Sequence, residues 1–419
     1  MARMALISTW MILCLVLVSA KKRSRGRHAL EMEPEPPSAT KKCPGFDGVS
    51  FKKVLGKGAS GTAVLVSDTA TGSAKVAKLM VGAGSVEGWT HEEAIYDSLT
   101  DLASRLPLIM KRLTPGSNCE DVEDDNYGIK RSDDSDFIKF CPPTDNTLGC
   151  IKLAGDQCCV VSEGLGCVNM DQLGNLEACT GTTELSKNCL VSILEPASGD
   201  FPLGIHKPGD DAKRAATLAQ AKALIFEVLY VLRMAFKEQG FQHWDLKEAN
   251  LMNREWQDAA RTEICFTLGD NSLRCISKAD LTHDGKTINV LLMDFDNSAS
   301  GGCENSKCSG TRVKSSLTKH DATSLKSIWD NIRPPRPDGE DGEDGAVVVS
   351  AHETAFVDLI DAIPKTIKGN ADQISEAEYT AYLAAYDAIL THAFFESDGV
   401  SKKLLPTDCT GTCSLFPTT

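Results

Sequence analysis

Apolar residues recur every three to four positions between Ala215 and Phe236: Leu218, Ala221, Ile225, Val228, Leu232 and Phe236 share one face. That period predicts a core-facing helix, and Gly240 supplies its stop. A second helix is predicted from about Thr90 to Leu106, where Thr90 followed by Glu93 fits a capping box. From Phe51 to Met80 two β-rich runs flank a glycine-rich turn and a second turn at Thr71-Gly72, which predicts antiparallel strands. Leu190 to Leu194, Ile264 to Thr267 and Thr287 to Met293 read as further strands, the last preceded by a turn at Asp284-Gly285. Helical patterns dominate thereafter, interrupted by a solvated loop from Pro334 to Gly345. Residues 112–188 are acidic, rich in cysteine and weakly periodic, which predicts a disulfide-stapled insertion rather than a second core. Residues 21–47, basic and then proline-containing, read as a linker, so folded structure is expected from about residue 48.

Composition narrows the picture. A chain of 419 residues is too long for one small core and suggests two ordinary domains or one bilobal enzyme with insertions. Its 42% hydrophobic and 24% charged residues suit a folded globule. A net charge of −14, with no basic stripe interleaved with aromatics, argues against sequence-independent binding of nucleic acid. Arg3, the apolar run Ala5 to Val18 and the small residues Val18-Ser19-Ala20 read as a signal peptide over 1–20. The cationic cluster Lys21, Lys22, Arg23, Arg25 and Arg27 keeps a membrane-anchored form, held by residues 5–20, as the alternative, and membrane contact is expected only if that segment stays uncleaved. Sixteen cysteines favour disulfides and a secreted or secretory-lumen protein. Local candidates for bridges are Cys265 with Cys275, Cys303 with Cys308 and Cys409 with Cys413, while zinc is disfavoured because no pair is matched at finger spacing. Loss of Cys14 with the signal leaves 15, an odd count that implies a free thiol, an intermolecular bridge or a different compartment.

Several short constellations carry chemistry. Gly56-Lys57-Gly58-Ala59-Ser60-Gly61 followed by Val64 is a glycine-rich turn whose backbone N–H groups could approach phosphate oxygens without Cβ obstruction. A hairpin without a ligand fits those glycines as well. A strand, not a helix, is expected to follow them, which disfavours a dinucleotide site. Val76-Ala77-Lys78 ends an apolar strand with a lysine that could meet nucleotide phosphates, or could be an ordinary surface lysine. Glu92 shares a helical face with Ile95 and Leu99 and is the chosen carboxylate partner for Lys78; Glu93 is its rival.

After the long helix stands His243-Trp244-Asp245-Leu246-Lys247-Glu248-Ala249-Asn250, which resembles the H-R-D-L-K-x-x-N catalytic loop of eukaryotic protein kinases. Asp294-Phe295-Asp296 resembles the family's D-F-G, and the glycine turn with Lys78 resembles its phosphate-binding hairpin. The resemblance spans about residues 48–395. It implies a bilobal α+β kinase-like fold with a β-rich N-lobe over 48–196, a Cys-rich insertion within it, a mostly helical C-lobe over 197–395, and a tail from 396 to 419. It implies ATP and Mg2+, Gly56, Gly58, Gly61 and Val64 around the nucleotide, Lys78 and Glu92 on its phosphates, and Glu195, Ala197 and Asp200 at adenine and ribose. Asp245 would accept the acceptor hydroxyl's proton, Lys247 would meet the transferring phosphoryl, and Asn250 and Asp294 would hold metal. Lysine at 247 resembles serine/threonine rather than tyrosine kinases, so a protein substrate is expected. Asp321 resembles the buried aspartate that holds the loop's backbone, and Leu390-Thr391-His392-Ala393-Phe394-Phe395 resembles the family's closing motif.

Departures limit what is carried over. Trp244 stands where the family has arginine, Asp296 stands where it has glycine, and the A-P-E signature is missing between Asp294 and Asp321. A phosphate on that segment would therefore lose its usual guanidinium partner, and Cys303 and Cys308 could staple the segment instead. A kinase-like binding module without transfer activity is the alternative reading, and a small-molecule kinase is a further one.

Overall fold

A computed structural model describes residues 48–57, 62–81, 85–119, 128–130, 137–141, 150–153, 157–162, 166–169, 189–200, 215, 217–256, 260–269, 272–283, 286–304, 307–308, 310–314, 320–334, 351–364, 373–396, 400–403 and 413–416. The signal and linker readings, Gly58, Gly61 and Cys409 lie outside these residues. The described part is mixed α+β, with small, largely antiparallel sheets and five α-helices.

Strands β1 (Val49–Lys57), β2 (Thr62–Asp68) and β3 (Ala74–Val81) form an antiparallel meander. Asp68 closes its second turn by accepting from the amides of Ala70 and Thr71 and pairing with Lys75. Helix α1 (Ser85–Arg105) follows and starts upstream of the expected position. Thr90 therefore lies inside the helix, and the Thr90–Glu93 capping box is not formed. Strand β4 (Arg112–Cys119) belongs to the first sheet rather than to an insertion. Strands β5 (Gly128–Lys130), β6 (Phe137–Cys141), β7 (Cys150–Leu153), β8 (Gln157–Ser162) and β9 (Gly166–Asn169) form a separate five-stranded antiparallel sheet. Cysteines 141 and 150 are opposite one another in it. The weak periodicity of this stretch conceals regular strands. Strand β10 (Cys189–Leu194) then returns to the first sheet, between β3 and β4, and completes the order β1-β2-β3-β10-β4.

After the two-residue β11 (Gly199–Asp200) comes α2 (Leu218–Gln239). The Thr217 side chain caps its N-terminus by accepting from the Gln220 amide, and Gly240 ends it at φ 58°, the left-handed conformation that glycine adopts without Cβ strain. The apolar period predicts one buried face, yet every residue from Gln220 to Phe236 is buried, and Leu218 is exposed instead. The reason is a second apolar face: Leu224, Phe226, Leu229, Tyr230, Val231 and Met234 are all buried. A helix with apolar residues on most of its circumference runs through a core rather than over it. Phe226 packs edge-on against Phe266 and Phe395, with ring centroids 5.4 and 5.2 Å apart.

Strand β12 (Leu251–Glu255), the hairpin β13 (Glu263–Thr267) and β14 (Leu273–Ser277), β15 (Thr282–His283) and β16 (Lys286–Leu292) follow. β12 and β16 pair antiparallel with Leu251 opposite Leu292, which sets the chain before Asp294 beside the chain after Asn250. The Cys265–Cys275 disulfide joins β13 to β14. Two-residue strands β17 (Ala299–Ser300) and β18 (Val313–Lys314) pair with each other, and the Cys303–Cys308 disulfide lies between them. Helices α3 (Asp321–Ile332), α4 (Ala351–Asp361) and α5 (Glu376–Leu390) pack round α2, and Ser375 with Glu378 makes a full capping box on α5. Within the segment read as a tail, the described residues form two strands: β19 (Val400–Lys403) pairs with β14, and β20 (Cys413–Phe416) pairs in parallel with β13.

Candidate active site

Two short stretches of chain meet where β12 begins and β16 ends. The register of the first sheet sets one side of the site. Gly56, Ala63, Lys78 and Ser192 are successive partners across β1, β2, β3 and β10, so Lys78 and Ser192 share a face. α1 lies on that face. The Lys78 ammonium donates to both Glu92 oxygens at 2.8 Å and to Asp294 Oδ1 at 2.7 Å. Burial disfavours the lysine's charge, but the Glu92 and Asp294 carboxylates outweigh it and hold the ammonium well above its ordinary range. Burial, opposed by Lys78 and reinforced by Asp294, pushes the Glu92 carboxyl up to about 7. Burial also works against the Asp294 charge, but Lys78 prevails and keeps that carboxyl below its usual range.

The other side is the loop after α2. His243 and Trp244 donate their amides to Asp321 at 2.9 and 2.8 Å, and Asp321 is buried at the start of α3. Burial pushes its carboxyl up, against those two amides and His243. Trp244 sits at φ 59° and Asp294 at φ 65°, the two left-handed non-glycine residues among those described. Such backbone persists only where surroundings over-determine it, and it clusters at functional sites. Lys247 donates to Asp245 Oδ2 at 2.6 Å, and Asn250 Nδ2 donates to the Asp245 carbonyl at 2.9 Å. The two sides are tied by Met293 N to Asn250 O at 3.1 Å and by His243 Nε2 to Met293 O at 3.0 Å. Phe295, fully buried, stands edge-on to Tyr96 of α1 at 5.0 Å and to His243 at 5.9 Å.

Lys78, Glu92 and Asp294 are thus brought together, as are Asp245, Lys247 and Asn250. No family model and no curated protein matches the chain. The geometry alone therefore carries the functional reading.

The remaining expected residues fall less directly. Gly56 keeps its place in the row with Lys78, but Val64 is opposite Ala77, so it faces away from Lys78 and is buried on the other side of the sheet. The Glu195 amide donates to Lys111 O at 3.0 Å, and its carboxylate accepts from Lys111 N and pairs with Arg254, which ties three chain segments. Ala197 packs against the core, and the Asp200 backbone is opposite Met252 in β12. The side chain of Asp200 lies outside the described part.

Several contributors have no local sequence signal. Glu93, the rival to Glu92, faces the sheet instead: it pairs with Arg112 and accepts from Ser192 Oγ and, at 2.8 Å, from Gly116 N. Trp89 Nε1 donates to the same Ser192 hydroxyl at 3.1 Å. His91 Nε2 is 2.8 Å from Ser298 O and links α1 to the chain after Asp296. Glu263, Cys265 and Cys275 bring a carboxylate and two sulfurs together, but the two sulfurs are bonded to each other and offer no thiolate to a metal. Among the described residues, no helix is long and apolar enough to cross a membrane.

Proposed function

We propose that this protein transfers the γ-phosphoryl group of ATP to a serine or threonine hydroxyl of a protein, on a divergent kinase-like fold. In this reading the first sheet and α1 form the smaller lobe, α2 to α5 build the larger, and nucleotide is held between them. The observation that carries it is the Lys78 ammonium bonded at once to Glu92 and Asp294. A cation fixed from two elements is positioned for polyphosphate oxygens, and the nearby loop presents a carboxylate, an ammonium and an amide.

Each side chain has a role. Glu92 orients Lys78, which holds the nucleotide phosphates. Asp245 accepts the acceptor hydroxyl's proton as the new O–P bond forms and the γ-phosphorus parts from its bridging oxygen, with ADP as the leaving group. Lys247, paired with Asp245 at 2.6 Å, stabilises charge on the transferring group. Asn250 and Asp294 supply amide and carboxylate oxygens, hard donors that suit Mg2+, and with its nitrogen turned to the Asp245 carbonyl Asn250 keeps its oxygen for that purpose. When bound there, the ion neutralises phosphate charge. The two disulfides support placement in an oxidising compartment, secreted or within the secretory lumen.

The test is phosphate incorporation from labelled ATP with Mg2+ into a panel of protein substrates, comparing the protein with Asp245→Asn. We expect the variant to bind ATP and lose transfer by about 10²–10⁴-fold. Equal incorporation by both proteins would remove Asp245 from its role. ATP binding without transfer to any substrate would favour a binding module.

A further inference from the structure

We propose that Arg312 is the positioning residue that holds the loop carrying Asp245, supplying from the following segment the cation that position 244 lacks. This rests on the phosphotransfer reading, which gives Asp245 its role. Arg312 is buried, and its guanidinium gathers three passes of chain. Nη1 donates to Gly240 O at 3.3 Å and Gly301 O at 3.1 Å, and Nη2 donates to the Gln242 side-chain oxygen. Its Cζ lies 5.7 Å from the centre of the Trp244 ring, within cation–π range. Gly240 ends α2 and Trp244 immediately precedes Asp245, so the fork grips both ends of a five-residue stretch.

The backbone around it shows what is gripped. Gln242 and Ala299 exchange N–H···O bonds of 2.9 and 2.8 Å, and Ala299 is in turn opposite Lys314 of β18. The loop is thus the outer member of a three-pass ladder whose far strand begins next to Arg312. Trp244 holds a left-handed φ of 59°, a conformation that non-glycine residues keep only under restraint. Its amide is restrained by Asp321 and its ring by Arg312. The Cys303–Cys308 disulfide closes the turn between the two strands, and a Cβ at Gly240 would come within 2.8 Å of Cys308 Sγ. The segment is therefore closed on itself by the disulfide and held against the loop by the Arg312 hydrogen bonds and ring contact, which require no added phosphate.

The experiment compares Arg312→Met and Arg312→Lys with the unaltered protein in two readouts: steady-state transfer, and backbone hydrogen exchange over residues 240–246 and over α2. For Arg312→Met we expect kcat to fall about tenfold with the KM for ATP unchanged, and exchange to quicken over 240–246 but not in α2. Arg312→Lys keeps a charge but not the fork, and should fall between the two. If Arg312→Met does not fold, Trp244→Leu removes the ring contact from the other side and should show the same local loosening. Unchanged exchange over 240–246, or equal loosening there and in α2, overturns the proposal. If the unaltered protein transfers no phosphate, the functional reading fails, while the exchange comparison still decides whether Arg312 holds the loop.

Discussion

Helices α1 and α2 are nearly equal in length, 21 and 22 residues, yet they are held by opposite means. α2 is packed among apolar side chains over most of its surface, with Arg233 paired to Asp387 beside them, so its place is set mainly by volume. α1 also buries Ile95, Leu99 and Leu102, but its orientation depends on polar pins: Glu92 to Lys78, Glu93 to Arg112 and Ser192, and His91 to Ser298. Apolar packing is non-directional and hard to adjust, whereas directional contacts can be lost one at a time. The loop with Asp245 therefore hangs from a fixed platform, while Glu92 is carried on an adjustable one. A stability assay should respond to α2, and an activity assay to α1.

The strongest test of that contrast is Phe226→Ala in α2, which removes a fully buried ring with two edge-on aromatic partners. We expect a loss of about 3–5 kcal/mol in denaturant unfolding; a loss under about 1 kcal/mol would mean that α2 is not the platform described.

Next comes a buried carboxylate on α2. Glu227 is fully buried, accepts from Val290 N at 2.8 Å, and is pushed by burial up to about 8. The folded state thus holds a proton that the unfolded chain, titrating near the ordinary value of 4.5, releases earlier. Stability should therefore fall as pH rises from about 4.5 to about 8, by up to a few kcal/mol, with no further loss above that range. Glu227→Gln, which can still accept from Val290, should flatten much of the slope in unfolding curves across this range. Part of the slope that remains should lie between about 4.5 and about 7, the window over which burial raises the Glu92 carboxyl.

On α1, Glu92→Gln should lower transfer by about 100-fold, roughly 2.7 kcal/mol in the barrier, while thermal unfolding changes little, since Lys78 keeps Asp294. A stability loss as large as that of Phe226→Ala would erase the contrast. The smallest effect is expected from Glu93→Gln: about 1 kcal/mol in stability and a few-fold fall in transfer, because Trp89, His91 and Glu92 still pin the helix.

The same division marks what can be read from the sequence. α2 is legible in outline because its period and its glycine stop are local. Its second buried face is not, because apolar residues on both faces leave little contrast to detect, and the buried Lys222, Glu227 and Arg233 read as solvent-facing positions. The order of Lys78, Glu92, Asp245, Asn250 and Asp294 is legible because chemistry fixes their local context, and the structure brings the first two to the last. Glu93 misleads since Thr90 three residues before it mimics a cap, although α1 starts at Ser85. Arg312 against Trp244 pairs residues far apart in sequence with no motif to announce it. Val64 stands three residues after Gly61, one further than the glycine-turn pattern places its valine, and the strand register agrees by setting Ala63 opposite Lys78 and Val64 on the other face. The two disulfides that are described are among the local pairs the sequence suggests, for closeness in sequence is itself a signal.

The hairpin β13–β14 has a consequence for how the chain is made. Its two outer edges are closed by β19 and β20, whose residues, 400–403 and 413–416, are synthesised long after 263–277. Until those residues leave the ribosome, the hairpin presents two bare rows of N–H and C=O groups to every other nascent chain in the compartment. Biogenesis of this protein should therefore depend on whatever shields those edges during translation.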